Sequence, residues 1–203
     1  MKKYSILNFF ANFARYFYIF YMDSIRLHDK NFKPFIPAHQ IHKAIDALAD
    51  QMNRELKEEE LPLFLSVLNG AFMFTADLVR KMDFGLELSF IKLTSYRGTQ
   101  STGKVQEVIG VHTPIEGRTV VIVEDIIDTG ETLVKLMDTL QKQKPKQIRI
   151  CSLLLKPDQY KKSIPLDYVA LKIPNAFIVG YGLDYDALGR ELPDIYVIDP
   201  STS

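Results

Sequence analysis

An α/β fold, with a mainly parallel twisted sheet flanked by helices, is predicted for this chain of 203 residues. Strand-like and helix-like patterns alternate through its middle, the order that builds a parallel sheet with crossover helices. Thr119 to Val123 is β-branched and apolar on both faces, as a central parallel strand must be. No internal repeat, low-complexity tract or long linker interrupts residues 22 to 203, so they read as one domain with chain enough for one core.

The elements follow in order. Ile41, Ala44, Ile45, Leu48, Ala49, Met52 and Leu56 recur at helical spacing and predict an amphipathic helix over 38 to 57. The charge-rich run Lys57 to Glu60 ends it. Pro62 to Leu68 is a short apolar strand, Asn69-Gly70 a turn, and Ala71 to Met82 a second helix. Leu86 to Thr94 alternates apolar and polar residues, as a half-buried strand does. Ser95 to Lys104 is polar, aperiodic and glycine-containing, which reads as a mobile loop. Beyond the strand at Thr119, Leu133, Leu136, Met137 and Leu140 give the next helix its apolar face, and Pro145 marks its end. Gln147 to Leu155 is the following strand. Shorter strands are expected at Tyr168 to Ile173, Phe177 to Tyr181 and Ile195 to Ile198, and these later elements are expected to form a small hood.

Composition narrows the function. Lys and Arg total 25, as do Asp and Glu, so the basic excess of a nucleic-acid binder is missing. The single Cys151 excludes an intrachain disulfide and argues against a thiolate zinc site; it fits a reducing compartment, so a cytoplasmic protein is expected. Met1 to Tyr21 is aromatic-rich, yet Asn8, Asn12 and Arg15 interrupt it and no small-residue cleavage site follows. It is set aside as an upstream extension, with Met22 as the start; the alternative is a membrane-associating segment. His39 and His42, three apart on a helix without a third ligand nearby, read as solvated.

The informative stretch is Val120 to Thr132. A buried strand runs into Glu124, Asp125 and Asp128, then into a Thr129-Gly130 turn and a helix. A carboxylate there is costly to desolvate and needs a partner. In open α/β sheets ligands bind at this carboxyl end. Gly130 allows close backbone approach, the helix start adds positive potential, and Thr129 and Thr132 add hydroxyls: a phosphate cradle without a lysine. Adjacent acids can chelate a ribose diol or hold Mg2+ through oxygen. Taken alone, Asp128 or Thr129 would more often be an ordinary helix N-cap, and it is the preceding Glu124-Asp125 pair that favours a site.

This string resembles the PRPP-binding motif of type I phosphoribosyltransferases. Glu124 to Gly130 is similar to the hypoxanthine-guanine members in particular. The resemblance covers residues 28 to 200. It is also carried by Leu68-Asn69-Gly70, Ser95-Tyr96, Ser152 to Lys156, Phe177 to Tyr185 and Arg190. It implies the type I phosphoribosyltransferase fold, with a small hood built from the chain ends. It implies a pentosyltransferase of purine salvage, in which PRPP and hypoxanthine or guanine give IMP or GMP and pyrophosphate. Mg2+ is the implied cofactor, and a homo-oligomer, dimer or tetramer, the implied assembly. No nucleic-acid or membrane partner is expected.

Roles are implied position by position. Asp128 matches the general base that handles the purine N7 proton. Glu124 and Asp125 match the pair that holds the ribose hydroxyls, directly or through Mg2+. Asp128, Thr129, Gly130, Glu131 and Thr132 match the loop around the 5′-phosphate, with Ile127 at its start. Lys156 matches the donor to purine O6, and Phe177 the aromatic stacked on the base. Ile178 and Asp184 match backbone contacts to the purine edge, and Asp184 also matches a ligand of the pyrophosphate-side Mg2+. Arg190 matches a pyrophosphate contact. Asn69-Gly70 matches the pyrophosphate loop, where the family has a cis peptide. Ser95 and Tyr96 begin the loop that closes over the reaction.

Asn69 and Ala176 depart from the lysines often found at those positions. Two other readings stand beside this one: a phosphoribosyltransferase with another purine acceptor, such as xanthine, and a regulator of the same fold that binds nucleic acid.

Overall fold

The structure is a computed structural model that describes residues 23–95, 105–109 and 113–200. The extension before Met22 and the loop from Tyr96 to Lys104 lie outside the described residues, as does the side chain of Ser95. In chain order the elements are β1 (Ile25–Leu27), β2 (Lys30–Ile36), α1 (Ala38–Leu56), β3 (Leu63–Leu68), α2 (Phe72–Val79), β4 (Glu87–Ser95), β5 (Val105–Ile109), β6 (Thr119–Ile127), α3 (Glu131–Gln141), β7 (Gln147–Leu155), β8 (Tyr168–Lys172), β9 (Ile178–Val179) and β10 (Ile195–Ile198).

The chain divides into two compact units. The larger, His42–Asn175, holds a six-stranded sheet in the order β5-β4-β3-β6-β7-β8. All its pairs are parallel except β4 with β5. The expected both-faced burial is met: every residue of β6 from Thr119 to Glu124 is buried, and so are Leu63 to Val67 of β3. Leu133, Leu136 and Leu140 of α3, spaced 3 and 4 apart, join Leu65, Val120, Ile122 and Ile150 in the core. Each such side chain contributes about 1.5–3 kcal/mol on full burial.

The smaller unit comes from the chain ends, up to Ile41 and from Ala176. Its sheet is antiparallel, in the order β1-β2-β10-β9. Asp194 Oδ1 accepts the Ala38 N–H at 2.6 Å and so caps the start of α1.

Several boundaries moved. The strand expected to stop at Val123 runs on to Ile127, because β7 keeps pairing with it. The helix expected over 71 to 82 is only Phe72–Val79. The strand expected from Phe177 shrinks to Ile178–Val179, since Gly180 turns away with φ 98°. Strands β1, β2 and β5 were not expected. Pro34 lies inside β2 where its register with β10 shifts, the kind of irregularity that accommodates a residue without an N–H.

Chain order along the large sheet reverses between β3 and β6: β4 lies beyond one, β7 beyond the other. The carboxyl ends of β3 and β6 therefore flank the crevice in which such sheets bind ligands. The described β3–β6 pairing ends at Ser66 with Val123, whereas β6 and β7 remain paired to Ile127 and Leu155. The last residues of β6, Glu124 and Asp125 among them, thus project past their pairing with β3.

Candidate active site

Two loops meet at that crevice. The one after β3 carries Asn69 and Gly70, and its Leu68–Asn69 peptide is cis, as the resemblance implied. The one after β6 begins at the acids. A Cβ added to Gly70 would lie 1.5 Å from Asp125 Oδ2, so only glycine lets the β3 loop close onto that carboxylate. Asp125 Oδ1 accepts the Ile126 N–H at 2.8 Å, which fixes the side chain's direction.

Glu124 is 7% exposed. No hydrogen bond or ion pair reaches its carboxylate from the described residues, and the neighbouring charge that acts on it is that of Asp125. Burial, and then the Asp125 charge, push its carboxyl well above the ordinary value of 4.5. Oxygen donors so placed fit a divalent cation or a sugar diol, either of which would supply what the protein withholds. No group of three or more metal-ligating side chains occurs among the described residues. An ion here would rest on one or two carboxylates, with substrate oxygens and water completing the shell, the arrangement that Mg2+ favours.

The sign of this shift yields an expected result. A raised folded-state value means that the folded protein holds the proton more tightly than the unfolded chain does. The resulting stability is complete below about pH 4.5 and is lost as pH rises through the raised value. Glu124→Gln should therefore raise the melting temperature of the ligand-free protein at pH 8 in EDTA, by roughly 2–4 °C per kcal/mol regained. Calorimetric scans at pH 5 and pH 8 check it; an equal gain at both would contradict the burial of a charge.

Asp128 is not a helix cap. The N-cap of α3 is Gly130, left-handed at φ 79° and without a side-chain capping bond. Instead Asp128 Oδ2 pairs with Lys156 Nζ at 2.8 Å. The lysine is held in place by its own backbone, whose N–H donates to the Ile127 carbonyl at 2.9 Å. Its side chain is 10% exposed and that of Asp128 is 44% exposed, so the pair is fixed at one end and open at the other.

Glu124 and the residues Ile126 to Leu133 line a cleft of about 100 Å³. Thr129 and Thr132 are exposed beside it. The first turn of α3 brings backbone N–H groups without intrahelical acceptors. One contact was not foreseen. Tyr160 and Lys162, from the segment after β7, pack against Gly130, where a Cβ would come within 2.6 Å of Tyr160 Cε2 and 3.0 Å of Lys162 Cγ. Lys162 Nζ also pairs with Glu131. Nothing in the polar run 157 to 163 marks these residues, because a loop lysine has no periodicity to betray it.

The smaller unit gathers its own set. Phe177 is 46% exposed, with its ring 6.2 Å from Phe32 and edge-on at 5.7 Å to Tyr185. Ile178 is buried. Arg190 pairs with Asp184 at 2.7 Å and donates to the Gly182 carbonyl at 2.6 Å. The second Asp184 oxygen accepts the Ala187 N–H at 2.8 Å.

Comparison with known proteins agrees with this arrangement. The family model "Phosphoribosyl transferase domain" matches residues 37–186. A hypoxanthine-guanine phosphoribosyltransferase of Bacillus subtilis is 40% identical over 170 residues, 83% of this chain and 94% of that protein. A hypoxanthine-guanine-xanthine phosphoribosyltransferase of Tritrichomonas foetus is 41% identical over 163 residues, 79% of this chain and 88% of that protein. The crystal structure of a hypoxanthine phosphoribosyltransferase from Staphylococcus aureus superposes with a TM-score of 0.77 at 36% identity, covering 83% of this chain and 92% of that one. With its acid corner at the sheet's switch point and these relatives, the chain belongs to the type I phosphoribosyltransferase family, within its hypoxanthine-guanine group.

Proposed function

We propose that the protein transfers the 5-phosphoribosyl group of PRPP to a 6-oxopurine, hypoxanthine or guanine, releasing pyrophosphate, and that it works with Mg2+ in the cytoplasm. The observation that carries the acceptor is the Lys156–Asp128 pair at 2.8 Å. It sets a donor and an acceptor side by side beside the acid pair. A 6-oxopurine protonated at N7 offers the complement, an acceptor at O6 next to a donor at N7. Adenine carries a 6-amino donor and would meet the Lys156 donor head-on.

The roles follow from position. Glu124 and Asp125 bind the ribose hydroxyls. The start of α3 receives the 5′-phosphate. As purine N9 bonds to C1 of ribose, the C1–O bond to pyrophosphate breaks, intact pyrophosphate leaves, and Asp128 takes the proton from N7. C1 passes through an oxocarbenium-like state, which the flanking carboxylates favour. Mg2+, when bound, offsets the charge of the leaving pyrophosphate. In the smaller unit, the exposed face of Phe177 is suited to stacking on a base. Arg190 is suited to gripping a phosphate oxygen once it leaves Asp184.

A second acceptor has a specific reason: one relative at 41% identity is named for xanthine as well. The test is nucleotide formation from PRPP and Mg2+ with hypoxanthine, guanine, xanthine and adenine in separate reactions, followed by ultraviolet absorbance. Hypoxanthine and guanine should react and adenine should not. Lys156→Ala should lower kcat/KM for the 6-oxopurines by about 10–150-fold, the value of one charged hydrogen bond. Unchanged constants for both bases would remove Lys156 from recognition.

A further inference from the structure

The phosphate cradle contains an anion of its own. Glu131 is the first residue of α3 and the residue after the N-cap Gly130, so its carboxylate stands where the substrate's phosphate is to bind. A carboxylate gains from the helix start, but it repels a second anion at the same place. The sequence offers no lysine within the loop to offset it.

The fold brings one from 31 residues away. Lys162 Nζ pairs with Glu131 Oε1. The pair is seated rather than casual. The Tyr160 ring lies against Gly130, Tyr160 Oη donates to the Ile164 carbonyl at 2.6 Å, and Tyr160 and Ile164 both pack on the core. The turn carrying Lys162 is thus pinned over the loop, and the lysine stem covers Gly130 itself. Its side chain is 30% exposed, mostly sheltered yet open to solvent. Lys135, the other cation that acts on Glu131, lies on α3 itself, whereas Lys162 arrives from a separate segment. The hydrogen bond from Lys162, followed by its charge, holds the Glu131 carboxyl below the ordinary range.

We infer that Lys162 is a further 5′-phosphate-binding residue: it neutralises Glu131 and lends the cradle the ammonium that its own loop lacks. This rests on the proposed use of PRPP. The Lys162 ammonium shifts between two oxyanions, Glu131 in the free protein and a phosphate oxygen in the complex. Removing the lysine alone leaves Glu131 facing the phosphate with that compensation gone. Removing both charges relieves the repulsion.

The test is a double-mutant cycle of Lys162→Ala and Glu131→Gln in the full chain. KM for PRPP is measured alongside inhibition by a nucleoside monophosphate and by the matching nucleoside. Lys162→Ala should raise KM for PRPP and the inhibition constant of the monophosphate by about 5–20-fold, less than a fully sheltered charged hydrogen bond because the lysine is partly exposed. Inhibition by the nucleoside, which has no phosphate, should be unchanged. In the presence of Glu131→Gln the same lysine change should cost less than it does alone, because the phosphate contact is still lost but the repulsion it offset is gone. Melting temperatures of all variants are taken in parallel, so that loss of fold shows as loss of nucleoside inhibition too. Wild-type turnover together with an unaltered monophosphate constant in Lys162→Ala would overturn the inference. So would equal weakening of nucleoside and monophosphate in a folded variant. Absence of PRPP-dependent turnover in the wild type would instead overturn the reading on which it rests.

Discussion

Asp128→Asn is expected to lower kcat by about 10²–10⁴-fold, the range for losing a positioned general base, while PRPP still binds within a few-fold. The substitution keeps the shape and one acceptor oxygen but removes the carboxylate that takes the N7 proton. It also releases Lys156, which is 2.8 Å away and has Asp128 as its ion-pair partner. Two effects should therefore separate in the kinetics. The loss of proton transfer appears in kcat, because it is felt only as the bond forms. The unpaired Lys156 appears in KM for the purine, as a modest change in either direction. Single-turnover measurements with PRPP in excess distinguish the two. If the variant kept wild-type turnover, Asp128 could not be the base, and the donor–acceptor reading of the pair would fail with it.

Gly70→Ala is expected to be about as damaging although it removes no functional group. Its Cβ would fall 1.5 Å from Asp125 Oδ2, far inside contact distance, and the carboxyl carbon would be 2.5 Å away. Either the β3 loop retreats or Asp125 swings out of line. A displacement of about 1 Å at reacting groups costs on the order of 10²-fold in rate. The loss should concentrate in PRPP: weaker binding of the donor, with purine binding in the nucleotide-free state little changed. The fold should survive, since the clash lies at a loop rather than in the core of β3. A folded Gly70→Ala protein with normal PRPP affinity would show that the closure of this loop on Asp125 is unimportant.

The acid corner was legible because two local signals coincide there. A strand apolar on both faces must be central, and acids at its carboxyl end must face a ligand or a cation. The parallel strands of the large sheet and α1 were legible too, because each is written in a pattern within one segment; the antiparallel edge strand β5 was not. What could not be read is what depends on partners distant in sequence. Strand β6 outlasts its apolar run because β7 pairs with Glu124 and Ile126 through Ser152 and Leu154, a register that the pattern of either strand leaves open. Strand β2, interrupted by Pro34 and carrying Lys30 and Lys33, looks like a loop until β10 from the other chain end pairs with it. Asp128 could not be told from a helix cap by sequence. Its side chain's choice of Lys156, 28 residues on, over the α3 backbone decides the matter. Lys162 is the extreme case, an unremarkable loop lysine given a place by Tyr160 packing on Gly130.

The corner between β3 and β6 is held to exist for gripping an activated pentose, and isothermal titration of PRPP in Mg2+ reads that out without assuming any acceptor. The wild type should give a saturable heat at one site per chain, and Gly70→Ala should show affinity weaker by at least about 10-fold. A flat titration with folded wild-type protein, or equal affinities for the two, would contradict it.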